Sequence, residues 1–369
     1  MPCMDTLNDP TLDFPHAGPP EGGTMFPVAP GIWWLRMPLP FRLDHINLWL
    51  VKDGEHLCAV DTGIAMSKTK KLWQQLFDGD FAGRVLSRIV VTHMHPDHVG
   101  LAGWLAERFA CPLYMSLGEY HSTQNTMRGF GDAETESRRR FYLANGIAES
   151  GIEAFARHRG GFKQVVSELP PEYVRIMEGK PLFIDGRRWE IIAGFGHSPE
   201  HASLYCAELG VLIAGDQVLP KITTNVSVWP IEPLANSLQW FLDSIAKFKA
   251  LPQDTLVLPS HGLPFRGLHR RIDQLVAHHD ERLDALRAAC AVPEGRHGVE
   301  LTPVLFPGKD LDEHQFVFAL GETLAHLHCL EGRGQAERLI GADGIHRFRT
   351  LGPAPNRVEL HDVDDPEMV

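Results

Sequence analysis

Three histidines and an aspartate lie within six positions of one another in the stretch IVVTHMHPDHVG: His93, His95, Asp97 and His98. Imidazole nitrogens and carboxylate oxygens are the donors that borderline divalent cations accept, so the chemistry this spacing offers is metal binding. A histidine-rich surface loop is the ordinary alternative. The choice turns on whether the rest of the chain supplies further donors of the same kind.

It does, and in one recurring setting. LCAVDTG stops at Asp61, RIVVTH at His93, WEIIAGFGHS at His197, VLIAGDQ at Asp216 and TLVLPSHG at His261. Continuous apolar runs of this type suit strands buried on both faces. Loops at one end of such strands are where a rigid scaffold presents functional groups. Taken singly, each residue has a plainer role. Asp216 after Gly215 suits a turn, and His197 could cap one. Asp97 suits the start of the helix that HVGLAGWLAERF predicts through Val99, Ala102, Leu105, Ala106 and Phe109. Taken together, five His and two Asp with no Cys have the count and composition of two metal sites. That donor set suits Zn²⁺, with Fe or Mn as alternatives.

The series HMHPDH, GHSPEH, AGDQ and PSHG, in that order, resembles the metallo-β-lactamase superfamily over roughly Phe26 to Gly267. The resemblance implies an α/β (α+β) fold: an αββα sandwich of two mixed β-sheets packed face to face, with helices outside and the metals at one edge. It implies that His93, His95 and His197 hold a first ion, that Asp97, His98 and His261 hold a second, and that Asp216 bridges them. Asp61 is similar to a family aspartate that orients a ligand without binding metal. His201 has a comparable supporting role, or is simply a histidine at a helix start. The activity implied is hydrolysis by two Zn²⁺ ions per chain. A metal-bridging hydroxide, drawn from a water whose pKa falls toward ~7, is the nucleophile. Asp97 is the catalytic carboxylate that orients this nucleophile or passes on its proton. Glyoxalase II and related hydrolases make a thioester, ester or lactone the expected substrate. Two other reactions use similar motifs: a phosphodiesterase or ribonuclease, and a persulfide dioxygenase with a single iron. No GxSxG occurs, so a serine nucleophile is not expected.

Length and composition bound the remainder. The 369 residues suffice for one large domain with an appendage, or for two domains. A net charge of −12 argues against general affinity for nucleic acid or an anionic membrane. The 6 Cys include no CxxC, and the N-terminus has neither a basic nor an apolar signal region, so a cytoplasmic protein is expected. The expected domains are an irregular arm (1–23), the metallo-β-lactamase domain (24–266), a C-terminal module (267–352) and an acidic tail (353–369). A helical insertion is expected at about 117–181, inside the second of these.

Candidate substrate contacts are Phe41, in an apolar loop from Met37, Phe141 and Tyr142 in the insertion, and Trp229. Met127, Phe130 and Phe155 belong to the same insertion. Its Arg138–Arg140 run reads as a solvated helix face or as contacts for an anionic acyl-CoA. In the C-terminal module, helices through GLHRRIDQLVAHHDERLDALRAAC and EHQFVFALGETLAHLHCLEGRG, the second capped by Asp312, precede a hairpin formed by AERLI and IHRFRT. This order resembles a winged helix. The stretch carries more Asp and Glu than Lys and Arg, so packing or homodimerisation is expected there, not nucleic-acid binding.

Overall fold

The apolar runs form strands, and their alternation builds two sheets. In the computed structural model, which describes residues 12–129, 131–152, 161–353 and 360, strands β1 (Phe26–Ala29), β2 (Ile32–Pro38), β3 (His45–Asp53), β4 (His56–Val60), β5 (Leu86–Val90), β6 (Leu113–Met115) and β7 (Val174–Arg175) form one sheet in chain order. Pairing is antiparallel from β1 to β4 and parallel from β4 to β7. A second sheet has the order β12-β11-β10-β9-β8, from β8 (Leu182–Ile184), β9 (Arg187–Gly194), β10 (His201–Cys206), β11 (Val211–Gly215) and β12 (Leu256–Pro259). Only its β11–β12 pair is parallel.

The period of two explains the layers. In β3, Leu48 and Leu50 enter a core with Trp73 and Leu76 of the helix Ser67–Asp78 and Leu105 of the helix Ala102–Phe109. Trp49 and Val51 point the other way, into a core with Trp189, Leu204 and Ile213 of the second sheet. Burying a side chain of this size contributes roughly 1.5–3 kcal/mol, so both faces of β3 require a covering layer. Beyond the second sheet, the segment that ends the helix Ser237–Ala246 runs along β9. Ser244 Oγ accepts the Phe195 N–H at 3.0 Å, and Lys247 Nζ donates to the Ala193 carbonyl at 3.0 Å. The architecture is the αββα sandwich.

The described chain divides into two compact units. The sheets belong to the first, made of the described residues of Met1–Arg128, Gly160–Thr224 and Ser244–Ile272. The second takes those of Gly129–Arg159, Asn225–Asp243 and Asp273–Val369. It holds the helix Asp132–Ala144, most of the helix Leu268–Ala289, the helices Gly298–Leu305 and Glu313–Gly332, and the antiparallel hairpin of β13 (Ala336–Ile340) and β14 (His346–Thr350). Asp312 caps its helix by accepting the Gln315 N–H at 2.9 Å. The insertion is helical at Leu117–Arg128, Asp132–Ala144 and Phe162–Val165, but it also contributes β7. A strand of two residues is too short for alternation to reveal. Among the described residues no helix is long and apolar enough to cross a membrane. Phe130, Phe155, residues 1–11 of the arm and most of the tail lie outside the described residues.

Candidate metal centre

Strand direction decides where the donors meet. β4 and β5 run parallel, so Asp61, just after β4, and His93, shortly after β5, emerge at one sheet edge. In the second sheet β11 and β12 are parallel, and two antiparallel steps return β9 to the direction of β11. His197, Asp216 and His261 therefore also emerge together, beyond the ends of β9, β11 and β12. Two glycines make the turns possible. Gly215 has φ +56°, and a Cβ there would lie 2.3 Å from His201 Nε2. Gly100 ends the one-turn helix Pro96–Val99, where a Cβ would lie 2.3 Å from the Pro96 carbonyl oxygen.

Two sets of donor atoms converge. His93, His95, His197 and Asp216 form one, and Asp97, His98 and His261 the other, with the ligand atoms of each set within 4.8 Å of one another. In the first, His93 Nε2 lies 3.0 Å from His95 Nδ1 and 3.2 Å from His197 Nε2. Asp216 reaches both sets. Its Oδ2 is 3.5 Å from His197 Nε2 and 3.8 Å from His93 Nε2, while its Oδ1 is 3.3 Å from His98 Nε2 and 3.5 Å from His261 Nε2. Asp97 Oδ2 is 3.5 Å from His261 Nε2 and 3.6 Å from His98 Nε2. His93, His98 and His261 are buried, whereas His95 and Asp97 are partly exposed and mark the open side.

Outer contacts aim these rings. Asp61 Oδ2 receives His98 Nδ1–H at 2.8 Å and the Thr92 hydroxyl at 2.8 Å, and Asp61 Oδ1 receives the Thr92 N–H at 2.8 Å. His261 Nδ1 donates to the His45 carbonyl at 2.8 Å, which leaves Nε2 for the site. Asn47, two residues along β3, holds the same turn: its amide donates to the carbonyls of Pro259 (2.9 Å) and Gly262 (2.8 Å), and its N–H to that of Ser260 (2.7 Å). His201 Nε2 accepts the Asp216 N–H at 3.2 Å, and burial holds that ring neutral by lowering its pKa well below the usual histidine value. Glu119, buried in the helix Leu117–Arg128, accepts the N–H groups of Met94 and Glu200 and the Ser198 hydroxyl. The sequence reading contains neither Asn47 nor Glu119. Each is a single polar residue whose partners lie far along the chain, so no spacing announces it.

The donor chemistry fits a pair of cations. Asp216 Oδ1 and His98 Nε2 are buried and have no hydrogen-bond partner within the protein. His98 donates from Nδ1, so once Nε2 gives up its proton the ring turns a lone pair toward that carboxylate, and a cation between them satisfies both. Burial lowers the proton affinity of His98, but Asp216, Asp97 and Asp61 outweigh it and hold the pKa well above the ordinary value. Asp216 is the reverse: burial raises it, and His98 and His261 hold it well below. His95 is lowered to about 3 by burial and then by His197, so it stands as the neutral imidazole a metal requires.

The substrate candidates divide between the two units. Phe41 belongs to the first unit and is 46% exposed. Phe141 and Tyr142 are buried in the second unit, their ring centroids 5.3 Å apart. Trp229 meets Phe318 edge-on at 5.3 Å in that same unit. Arg139 of the arginine run pairs with Glu136 and Glu149.

Known proteins share this family and fold. Residues 42–261 match the model of the Metallo-beta-lactamase superfamily, and residues 283–351 that of the Metallo-beta-lactamase-like, C-terminal domain. The crystal structure of a beta-lactamase domain protein from Burkholderia ambifaria is similar at a TM-score of 0.84 and 42% identity, covering 94% of this chain and 99% of that one. The probable metallo-hydrolase YqjP of Bacillus subtilis (strain 168) is 24% identical over 80% of this chain and 91% of its own. A hydroxyacylglutathione hydrolase of Albidiferax ferrireducens is 25% identical over 68% of this chain and 77% of its own.

Proposed function

Because the chain belongs to the metallo-β-lactamase superfamily and is a metal-dependent hydrolase, we propose that it is a dinuclear zinc enzyme acting on a thioester, with esters and lactones as related substrates. The observation that carries this reading is Asp216, whose two oxygens face different donor sets. His93, His95 and His197 with Asp216 Oδ2 would hold one ion, and Asp97, His98 and His261 with Asp216 Oδ1 the other. Imidazole and carboxylate without thiolate suit Zn²⁺; Fe and Mn accept the same donors. When bound, such ions would lower the pKa of a coordinated water toward ~7 and polarise the carbonyl to be cleaved.

The chain's own residues do the positioning. Asp97 is the carboxylate at the open side, with a side chain 17% exposed, so it is the group that meets water and substrate together. It orients the attacking oxygen and accepts its proton. Asp61, through His98, and the His45 carbonyl, through His261, fix the two rings next to Asp97. A hydroxyacylglutathione is a thioester, and the relative named for hydrolysing one supports that substrate class.

The test is a hydrolysis panel with the purified full chain: acyl-glutathiones, acyl-CoAs, lactones and bis-p-nitrophenyl phosphate. The expected result is thioester turnover that is lost in Asp97→Asn. Phosphodiester turnover in the absence of any acyl hydrolysis would overturn the substrate class.

A further inference from the structure

We infer that Glu119 is a positioning residue that holds together the two loops carrying the first donor set. The inference rests on the dinuclear reading above and names what assembles one of its halves. The three imidazoles of that set come from two loops over a hundred residues apart: His93 and His95 follow β5, and His197 follows β9. Glu119 lies on neither loop. Its Oε2 accepts the N–H of Met94, the residue between His93 and His95, at 2.8 Å. Its Oε1 accepts the Ser198 hydroxyl at 2.6 Å and the Glu200 N–H at 2.7 Å, just beyond His197. Glu200 returns the contact, its carboxylate receiving the Gly118 N–H at 2.8 Å and its carbonyl the Ser116 hydroxyl at 2.7 Å. The Glu119 side chain is fully buried, so no water replaces a lost bond. The second donor set is held by different groups, Asp61 and the His45–Asn47 stretch.

The geometry also says why the residue is a carboxylate. Each oxygen receives a backbone N–H, and a backbone N–H can only donate. An amide has one oxygen, so Gln at this position turns an NH₂ group against one of the two N–H groups in either orientation. Glu119→Gln keeps the size and shape of the side chain and removes one acceptor.

The test uses full-length protein and Zn²⁺, with affinity read by competition against a chromophoric chelator. Glu119→Gln is measured in a His261→Ala background, which leaves the first set intact, and in a His197→Ala background, which leaves the second. We expect zinc affinity to fall about tenfold or more in the first background, the scale for losing a partner that orients ligands, and less than about twofold in the second. Unchanged affinity in both, or an equal fall in both, overturns the inference. The unsubstituted protein is the separate control. If it takes up fewer than two Zn²⁺, the dinuclear reading fails and this inference with it; if it takes up two while Glu119→Gln does the same with unaltered affinity, this inference alone fails. Should Glu119→Gln not fold, Ser198→Ala removes a single donor from the same carboxylate. It is expected to weaken the first set about threefold and to leave the second unchanged, and an unchanged first set again overturns the inference.

Discussion

Asp61 occupies left-handed backbone at φ +62°, a region where Asp and Asn are among the few tolerated side chains. Asp61→Asn therefore preserves both backbone preference and shape. It changes the hydrogen bonds alone: Asp61 Oδ1 faces the Thr92 N–H, and Oδ2 faces the Thr92 hydroxyl and His98 Nδ1. An NH₂ on either side meets a donor. We predict that Asp61→Asn lowers zinc affinity at the set containing His98 by roughly 10–100-fold, measured by chelator competition, while circular dichroism stays unchanged. Undiminished affinity would mean that His98 needs no orienting partner. Asp61 was legible in the sequence because it follows an apolar run as the ligands do. Glu119 was not, since its partners Met94, Ser198 and Glu200 lie 25, 79 and 81 residues away. Asn47 was hidden in the same way, reaching residues more than two hundred positions on.

Between the helices Leu268–Ala289 and Glu313–Gly332 of the second unit lies a buried histidine pair. His279 Nδ1 is 3.1 Å from His326 Nε2, and His326 Nδ1 donates to the Glu322 carbonyl at 2.8 Å. Burial first, and then Arg282, lowers His326 to about 3; His278 and Arg282 lie beside His279, and Arg333 and Glu322 add to the surroundings. A histidine whose folded pKa is depressed is protonated more readily when unfolded. The stability it permits is full above the unfolded value near 6.5 and declines as pH falls toward about 3, by roughly 1.4 kcal/mol per pH unit. We predict that between pH 7.0 and 5.5 the metal-stripped protein loses about 1 kcal/mol more in urea unfolding than its His326→Leu variant does. Parallel pH dependences would contradict this. Other features at this scale divide by signal. The Asp312 cap and the hairpin have local signatures, and the structure contains both. The helix Gly298–Leu305 went unread because it is short and carries Pro303. β7 did too, because its two exposed residues show no alternation.

At the scale of the whole molecule, the αββα sandwich turns chain order into chemistry: parallel and twice-reversed strands send donors from distant segments to shared edges. That much was readable, because the strands that lead to His93, His197, Asp216 and His261 announce themselves as apolar runs that stop at those residues. The division into units was not. The described residues of 129–159 and 225–243 group with those of 273–369, far along the chain. The central claim is that the catalytic chemistry rests on two ions joined by Asp216. The most direct measurement is a zinc titration of the metal-stripped full chain, with thioester turnover read at each equivalent. The account predicts uptake of close to two Zn²⁺ per chain and full turnover only when the second is bound. Full activity with a single ion per chain, or turnover that survives stripping, would contradict it.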